Sequence, residues 1–181
     1  MKMIKLQTLA LALLLALSTA TMAKSAKTLD SDANAAINKF LAENKSADAF
    51  LVKAKAFLVF PSVKEAGMFI GGKYGEGVLR VQRTTKGYYS MTSASIGMQI
   101  GAQEYSMIIA FTTDAAVNKF LLDGTEWEAE VDGKIALAEW NSKEEIDKDY
   151  KDPMVAFKFD SKGLMGSFSM EGTKFKKIKA D

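Results

Sequence analysis

The sequence predicts an α+β fold, in which N-terminal helices pack on a curled, mostly antiparallel β-sheet of barrel or sandwich form with one inserted helix. Apolar residues recur at helical spacing early in the chain, whereas the period shifts towards two after Met68. Five glycines lie between Gly67 and Gly77, and glycine permits close backbone approach. The alternating segment Tyr88–Ile100 is too long for a small flat sheet, so we expect the sheet to bend.

The first residues are typical of a secretory signal peptide. Two lysines precede an apolar core, Leu6–Leu17, and a small-residue exit ends at Ala23. This core is short compared with the roughly 20 residues of a membrane-spanning helix, which argues against the alternative of a retained anchor. We therefore predict a signal peptide over residues 1–23, with cleavage after Ala20 as an alternative, and a single domain over residues 24–181.

Two helices are predicted after the signal peptide. The first covers Asp32–Asn44, with Ser31 as its cap, because apolar residues recur there on one stripe. The residues of this stripe are Ala33, Ile37, Phe40 and Leu41. The second helix begins at Ser46, and its apolar residues are Phe50, Leu51, Ala54 and Phe57. Pro61 is expected to end the apolar run there, because proline restricts the residue before it.

Strands are predicted in the middle of the chain. Val78–Arg83 has strand character and precedes a turn at Thr85–Gly87. The long strand Tyr88–Ile100 follows, and Gly97 and Gly101 are the places where we expect it to bend.

The next strand, Tyr105–Phe111, leads into the inserted helix. This helix is predicted over Asp114–Leu122, with Thr113 as its cap and Gly124 near its end. A half-buried strand follows, in which the inward residues are Trp127, Ala129 and Val131.

The last part of the chain is predicted to form hairpins. Asp132-Gly133 is a strong hairpin signal into Lys134–Trp140, and the charged residues 141–152 form a loop. A turn at Ser161–Gly163 then joins an alternating strand to a returning one, Leu164–Met170. The inward residues of the alternating strand are Val155, Phe157 and Phe159.

The chain lacks two residue types, cysteine and histidine, that several kinds of chemistry require. With no cysteine it has no disulfide, no thiolate metal site and no lipid attached through cysteine. With no histidine it has neither a Ser-His-Asp triad nor a histidine metal site. The formal net charge of +2 falls to zero once the two signal-peptide lysines are removed, so we expect no nucleic-acid binding. We also expect no cofactor and no metal ion.

Two further patterns weigh against catalysis. Gly67–Lys73 satisfies most of the phosphate-loop pattern GxxxxGK, but Tyr74 stands where a serine or threonine should hold magnesium. The acidic residues of Glu126–Asp132 alternate along one exposed strand face, and those after Glu144 lack the glycine and terminal glutamate of a calcium loop. We therefore predict that the protein is not an enzyme.

Lysines surround the apolar segment that follows the second helix. Lys53, Lys55 and Lys64 flank the sequence FLVFPSV. An amphipathic helix with nearby lysines is typical of proteins that lie on anionic membranes. The alternative is that the apolar helix face belongs to the core, where such stripes usually pack.

Three blocks of the sequence together resemble the SYLF domain, also called the Ysc84 domain. They are AKAFLVFPSVKEAGMFIGGKYGEGVL, IGMQIGAQEYSMIIAFTTDAAVNKFL and KGLMGSFSMEG, and the resemblance covers roughly Leu29–Lys176. Eukaryotic members bind phosphoinositides and act on actin through adaptor domains such as SH3. Bacterial members with signal sequences resemble small periplasmic or surface lipid-binding proteins. An exported chain is not expected to meet actin, so we carry over only the lipid-binding role.

The resemblance implies a non-catalytic, lipid-binding protein of the cell envelope. It would dock on or hold anionic phospholipid or phosphoinositide-like head groups, in the periplasm or outside the cell, peripherally associated with a membrane. The lipid-binding residues that it implies are Lys39, Lys53, Lys55, Lys64 and Lys73. The alternative is an envelope module that binds a protein partner through the acidic face Glu126–Asp132.

Overall fold

A computed structural model describes residues 24–43, 46–122, 126–138, 151–164 and 169–181. In this part of the chain three helices pack with a curled, mostly antiparallel sheet of six strands, which is the predicted fold class. The elements are α1 (Ala26–Glu43), α2 (Ala47–Lys53), β1 (Ala56–Val81), β2 (Thr84–Phe111), α3 (Asp114–Leu122), β3 (Glu126–Glu128), β4 (Ala136–Ala138), β5 (Met154–Leu164) and β6 (Lys174–Ile178). The predicted signal peptide, Gly124, residues 139–150 and residues 165–168 lie outside the described residues.

Helix α1 is longer at its start than predicted. Ser25 caps it in place of Ser31, because Oγ of Ser25 accepts a hydrogen bond from the N–H of Thr28 at 3.2 Å. The buried residues of the helix are Leu29, Ala33, Ala36 and Phe40. Two of the four predicted stripe residues are therefore in the core, whereas Ile37 and Leu41 are only partly buried.

Strand β1 begins earlier than predicted and passes through the proline. Phe57 lies in the strand rather than in the second helix. The pairing register shifts between Phe60 and Val63, so Pro61 lies at an irregularity. Among the described strands, β1 pairs only with β2, and a proline without an N–H is tolerated in such an edge strand. The prediction that Pro61 ends the run is therefore wrong.

Strands β1 and β2 form one long antiparallel ribbon. Their pairing starts at Ala56 opposite Phe111 and continues to a two-residue turn, Gln82-Arg83, with φ of 50° and 65°. Left-handed geometry at both positions is that of a type I′ hairpin. The predicted turn at Thr85–Gly87 is wrong, because those residues lie in strand β2. Neither turn residue is a glycine, so the usual sequence signal is missing.

The ribbon folds back on itself, and glycines make this fold-back possible. A Cβ on Gly75 would lie 3.1 Å from the carbonyl oxygen of Ser62, and one on Gly77 would lie 2.5 Å from that of Val59. The two ends of β1 therefore pass each other at backbone distance, which only glycine allows.

The bend in β2 occurs where the sequence predicted it. The register shifts between the pairs Met68–Ile100 and Ile70–Ile96, an interval that contains Gly97. Gly101 follows directly, with φ of 141°. Such a register shift, like a glycine in an extended segment, lets a sheet curl.

The curled sheet has a hydrophobic core on each face. Leu58 and Phe60 belong to the core that also contains Phe120 of α3. Phe57 and Val59 point to the opposite face, where α1 and α2 cover the sheet. This alternation explains why the start of β1 is apolar at every position, since a strand covered on both faces needs apolar residues on both.

The strand order is β3-β6-β2-β5-β4, with β1 also paired to β2. Strand β3 pairs with β6, whereas β4 pairs in parallel with β5, so the predicted hairpin at Asp132-Gly133 is wrong. A tight turn does occur there, with φ of 71° at Glu130. Trp127 and Ala129 are buried as predicted, but Val131 is 73% exposed because it lies in this turn.

The remaining elements confirm some predictions and correct others. Helix α3 has the predicted bounds, and Oγ1 of Thr113 accepts a hydrogen bond from the N–H of Ala116 at 3.2 Å. The predicted inward residues of β5 are all buried: Val155, Phe157 and Phe159. Ser161–Gly163 is not a turn but continues β5. Strand β6 was not predicted, because its lysines leave Phe175 as its one buried residue.

Candidate functional site

A groove opens where α2, the start of β1, the β1–β2 turn and α3 meet. These segments are neighbours because the folded ribbon brings its turn back beside its own beginning. The groove has a volume of about 630 Å³, within the range of roughly 300–1,000 Å³ typical of ligand sites. We call it the lysine groove, and its lining includes Val52, Lys53, Lys55, Lys86, Asp114 and Leu121.

Two lysines reach the groove because the backbone turns sharply between them. The N–H of Ala54 donates to the carbonyl of Phe50 at 3.1 Å and completes α2, while Ala54 itself is extended. The N–H of Lys55 then donates to the carbonyl of Phe111 at 2.8 Å and starts the ribbon. Lys53 and Lys55 therefore stand on either side of this bend.

The charge of the groove is positive. Lys53, Lys55 and Lys86 are exposed and face one aspartate, Asp114. The Nζ atom of Lys55 lies 3.8 Å from Oδ2 of Asp114, with side chains that are 48% and 79% exposed. Such an exposed, long ion pair contributes little energy, so the aspartate does not cancel the field of the lysines.

Exposed aliphatic side chains stand beside these lysines. Val52 is 60% exposed and Leu121 is 43% exposed. Single exposed aliphatic residues are ordinary, but these two line one basic groove. The combination can accommodate an anionic group at the lysines and apolar chains at the rim.

Two of the predicted lipid-binding lysines lie elsewhere. Lys39, on α1, forms an ion pair at 2.5 Å with Asp160 of β5. Lys64, on β1, is exposed and lines a separate cleft with two acidic residues, Glu76 and Glu104. The structure therefore brings together Lys53 and Lys55, and it separates both from Lys39 and Lys64.

Lys73 is buried rather than exposed. Its ammonium group donates a hydrogen bond to the carbonyl oxygen of Ser169 at 2.5 Å. Burial lowers the pKa of Lys73 to about 8, the carboxylate of Glu65 opposes this shift, and the charge of Lys158 adds to it. A role for Lys73 in lipid binding stays a prediction, although in this conformation the side chain does not reach the surface.

The polar groups near Lys73 form a buried hydrogen-bond network. Glu65 accepts hydrogen bonds from the side-chain amide of Gln103 at 2.9 Å and from the hydroxyl of Tyr105 at 3.2 Å. Lys158 donates to the amide oxygen of Gln103 at 2.7 Å. Burial raises the pKa of Tyr105, and the charge of Glu65 adds to the shift. Paired polar groups of this kind hold the inner face of the ribbon and β5 together.

Lys86 and the aliphatic rim were not among the predicted site residues. Lys86 lies 31 positions after Lys55 in the sequence, and only the turn at Gln82-Arg83 brings the two together. The short stretch Lys53–Lys55 was detectable because its two lysines are adjacent to an apolar run. None of the described helices has the length and apolar character that would let it cross a membrane.

Two comparisons with known proteins find similar sequences. The Ysc84 family, described as "Las17-binding protein actin regulator", matches residues 92–180. Beta cell expansion factor A of Aeromonas veronii is 26% identical over 144 residues, which are 79% of this chain and 53% of that protein. This chain therefore spans about half the length of that curated relative.

The match of residues 92–180 to the Ysc84 (SYLF) family model confirms the resemblance found in the sequence. The matched residues, 92–180, contain most of β2 and all of α3, so they include one wall of the lysine groove. The groove lysines Lys53, Lys55 and Lys86 precede the matched segment.

Proposed function

We propose that this protein binds anionic phospholipid at a membrane surface, without catalysis, and that the lysine groove makes the contact. The observation that carries the proposal is the placement of three exposed lysines beside two exposed aliphatic side chains, Val52 and Leu121. Lipid binding is also what the resemblance to SYLF domains implies. Export to the periplasm or the cell exterior, with peripheral attachment to a membrane, belongs to the same proposal and is supported by the signal-like residues 1–23.

The expected strength of the contact follows from its charges. Each lysine near an anionic membrane contributes about 1 kcal/mol, so Lys53, Lys55 and Lys86 together contribute about 3 kcal/mol. That corresponds to roughly a hundredfold in affinity. The contribution should fall as salt rises, because the charges are exposed and a higher ionic strength screens them.

The acidic strand β3 gives less support to a protein-binding role. The Nζ atom of Lys174 lies 3.0 Å from Glu126 and 3.3 Å from Glu128, so the described fold already partly neutralises this face. We therefore favour the basic groove over the acidic face as the binding surface.

The first test replaces the groove lysines by acids. The variant Lys53→Glu/Lys55→Glu/Lys86→Glu should bind anionic vesicles at least a hundredfold more weakly than the unmodified chain, since attraction is replaced by repulsion. Binding is measured by flotation with neutral and with anionic vesicles over a salt series.

A matched control variant carries the same change of charge at exposed lysines outside the groove that are not predicted site residues, Lys27→Glu/Lys134→Glu/Lys162→Glu. If both variants lose binding equally, net charge rather than the groove attracts the membrane. If neither loses binding, the lysines are not the contact. Vesicle binding that is equal for neutral and anionic lipid and insensitive to salt would also contradict the proposal.

A further inference from the structure

A second cleft lies on the other side of α2, between α1 and the β1–β2 turn. Its volume is about 270 Å³, near the roughly 300 Å³ at the small end of ligand pockets. Helix α1 lines it with one stripe, spaced at i, i+3, i+4 and i+7: Asn34, Ile37, Asn38 and Leu41. We call this space the helix cleft.

The inner walls of the helix cleft are apolar. Leu51 of α2 and Phe57 of β1 are both buried, and each lines the cleft. Ile37 and Leu41 are only partly buried, so part of their aliphatic surface faces the cleft instead of the core. This explains why the apolar pattern of α1 is wider than the stripe that packs on the sheet. An aliphatic chain in the cleft would cover that surface.

Two arginines also line the cleft. Nη2 of Arg80 donates to Oδ1 of Asp30 at 2.9 Å and to Oδ1 of Asn34 at 3.1 Å, so its charge is already paired. Its Nε is buried and has no hydrogen-bond partner in the described part of the chain. Arg83 is exposed at the ribbon turn, and within the same residues no ion pair occupies its guanidinium. Asp48 is the acidic residue that lines the cleft.

We infer that the helix cleft receives the aliphatic chain of a single-chain anionic amphiphile, with the anionic head at Arg83. The apolar walls contact the chain, and the guanidinium of Arg83 donates hydrogen bonds to the anionic head. The cleft adjoins the lysine groove across α2, so the inference extends the proposed lipid-binding function and rests on it for the source of the amphiphile.

The test uses a soluble probe, so that it does not depend on membrane docking. Sodium decanoate, kept below its micelle concentration, is titrated into the protein by calorimetry, with uncharged decyl maltoside as the head-group comparison. Arg83→Asn removes the charge and keeps a residue that tolerates the left-handed backbone found there. We expect it to weaken decanoate binding about tenfold, the effect of losing one charged hydrogen bond.

A second variant, Leu41→Trp, fills the cleft and should abolish decanoate binding. If Leu41→Trp fails to fold by circular dichroism, Arg83→Asn still decides the question, because Arg83 is exposed. The triple lysine variant should keep decanoate binding while it loses vesicle binding, which separates this inference from the proposed function. Absence of decanoate binding, equal binding of decyl maltoside, or undiminished decanoate binding by Arg83→Asn would each overturn it.

Discussion

Lysine side chains occupy two different environments in this fold. Lys53 and Lys55 stay in water at the groove, whereas Lys73 is buried with Glu65 on the inner face of the ribbon. A buried ammonium loses hydration, which is why the pKa of Lys73 falls to about 8 from the ordinary 10.5. The charged form of Lys73 is therefore costly to the folded state.

This cost predicts a pH dependence of stability. The folded pKa of Lys73 lies below the unfolded value, so between about pH 8 and 10.5 the unfolded chain binds more protons and stability rises with pH. From pH 7 to pH 10 the gain from this group should be about 2 kcal/mol. Urea unfolding of the wild type and of Lys73→Met over this range measures it.

As the pH rises from 7 to 10, the free energy of unfolding of the wild type should increase relative to that of Lys73→Met. Two parallel curves would show that Lys73 is not buried as described. The comparison stops at pH 10 because burial also raises the pKa of Tyr105, a shift whose effect is to lower stability above that pH.

At the scale of elements, the β1–β2 ribbon determines the architecture. A ribbon this long would be an exposed flat sheet unless it folded, and the close passage at Gly75 and Gly77 shows how it folds. The same fold-back places the ribbon turn beside α2, which creates both clefts. The glycines therefore act on function indirectly, through the position of the turn.

The ribbon predicts a sharp difference between two glycine substitutions. A Cβ at Gly77 would lie 2.5 Å from the carbonyl oxygen of Val59 and 2.6 Å from the ring of Phe60, so Gly77→Ala should destabilise the fold by about 1–3 kcal/mol. The matched control is Gly87→Ala, whose nearest contact would be the ring of Tyr89 at 3.3 Å. Chemical denaturation of both variants measures the difference.

We expect Gly87→Ala to change the free energy of unfolding by less than about 1 kcal/mol, because a side-chain ring can move slightly whereas a carbonyl in the sheet cannot. Equal stabilities for the two variants would contradict the fold-back of the ribbon.

At the scale of the whole molecule, β2 is the centre of the structure. It pairs with β1 along its length, with β6 near its start and with β5 near its end. Both faces of this sheet are covered by core residues. The end of β2 is therefore paired on both sides and buried on both faces. For these two reasons it is the most constrained segment of the described chain.

Hydrogen exchange should reflect this arrangement. Peptides that contain residues 107–111, paired to β1 and β5, should exchange most slowly, and peptides from the seven-residue helix α2 should exchange much faster. Mass spectrometry of deuterated samples measures the order. Protection of α2 equal to that of residues 107–111 would contradict this description of the core, and it would also mean that the two clefts beside α2 are rigid.

The sequence by itself determined the fold class, the inserted helix with its cap, the bend near Gly97 and the resemblance to the Ysc84 family. These features depend on local signals: hydrophobic period, a capping threonine, glycines and ordered motif blocks. It also predicted Lys53 and Lys55 as lipid-binding residues, and that role stays a prediction. Only the tertiary structure decided which other residues join them, because Lys86 and the rim of α3 arrive through strand pairing and the fold-back of the ribbon. The same long-range packing buried Lys73 and paired Lys39 with Asp160, and no local pattern carries that information.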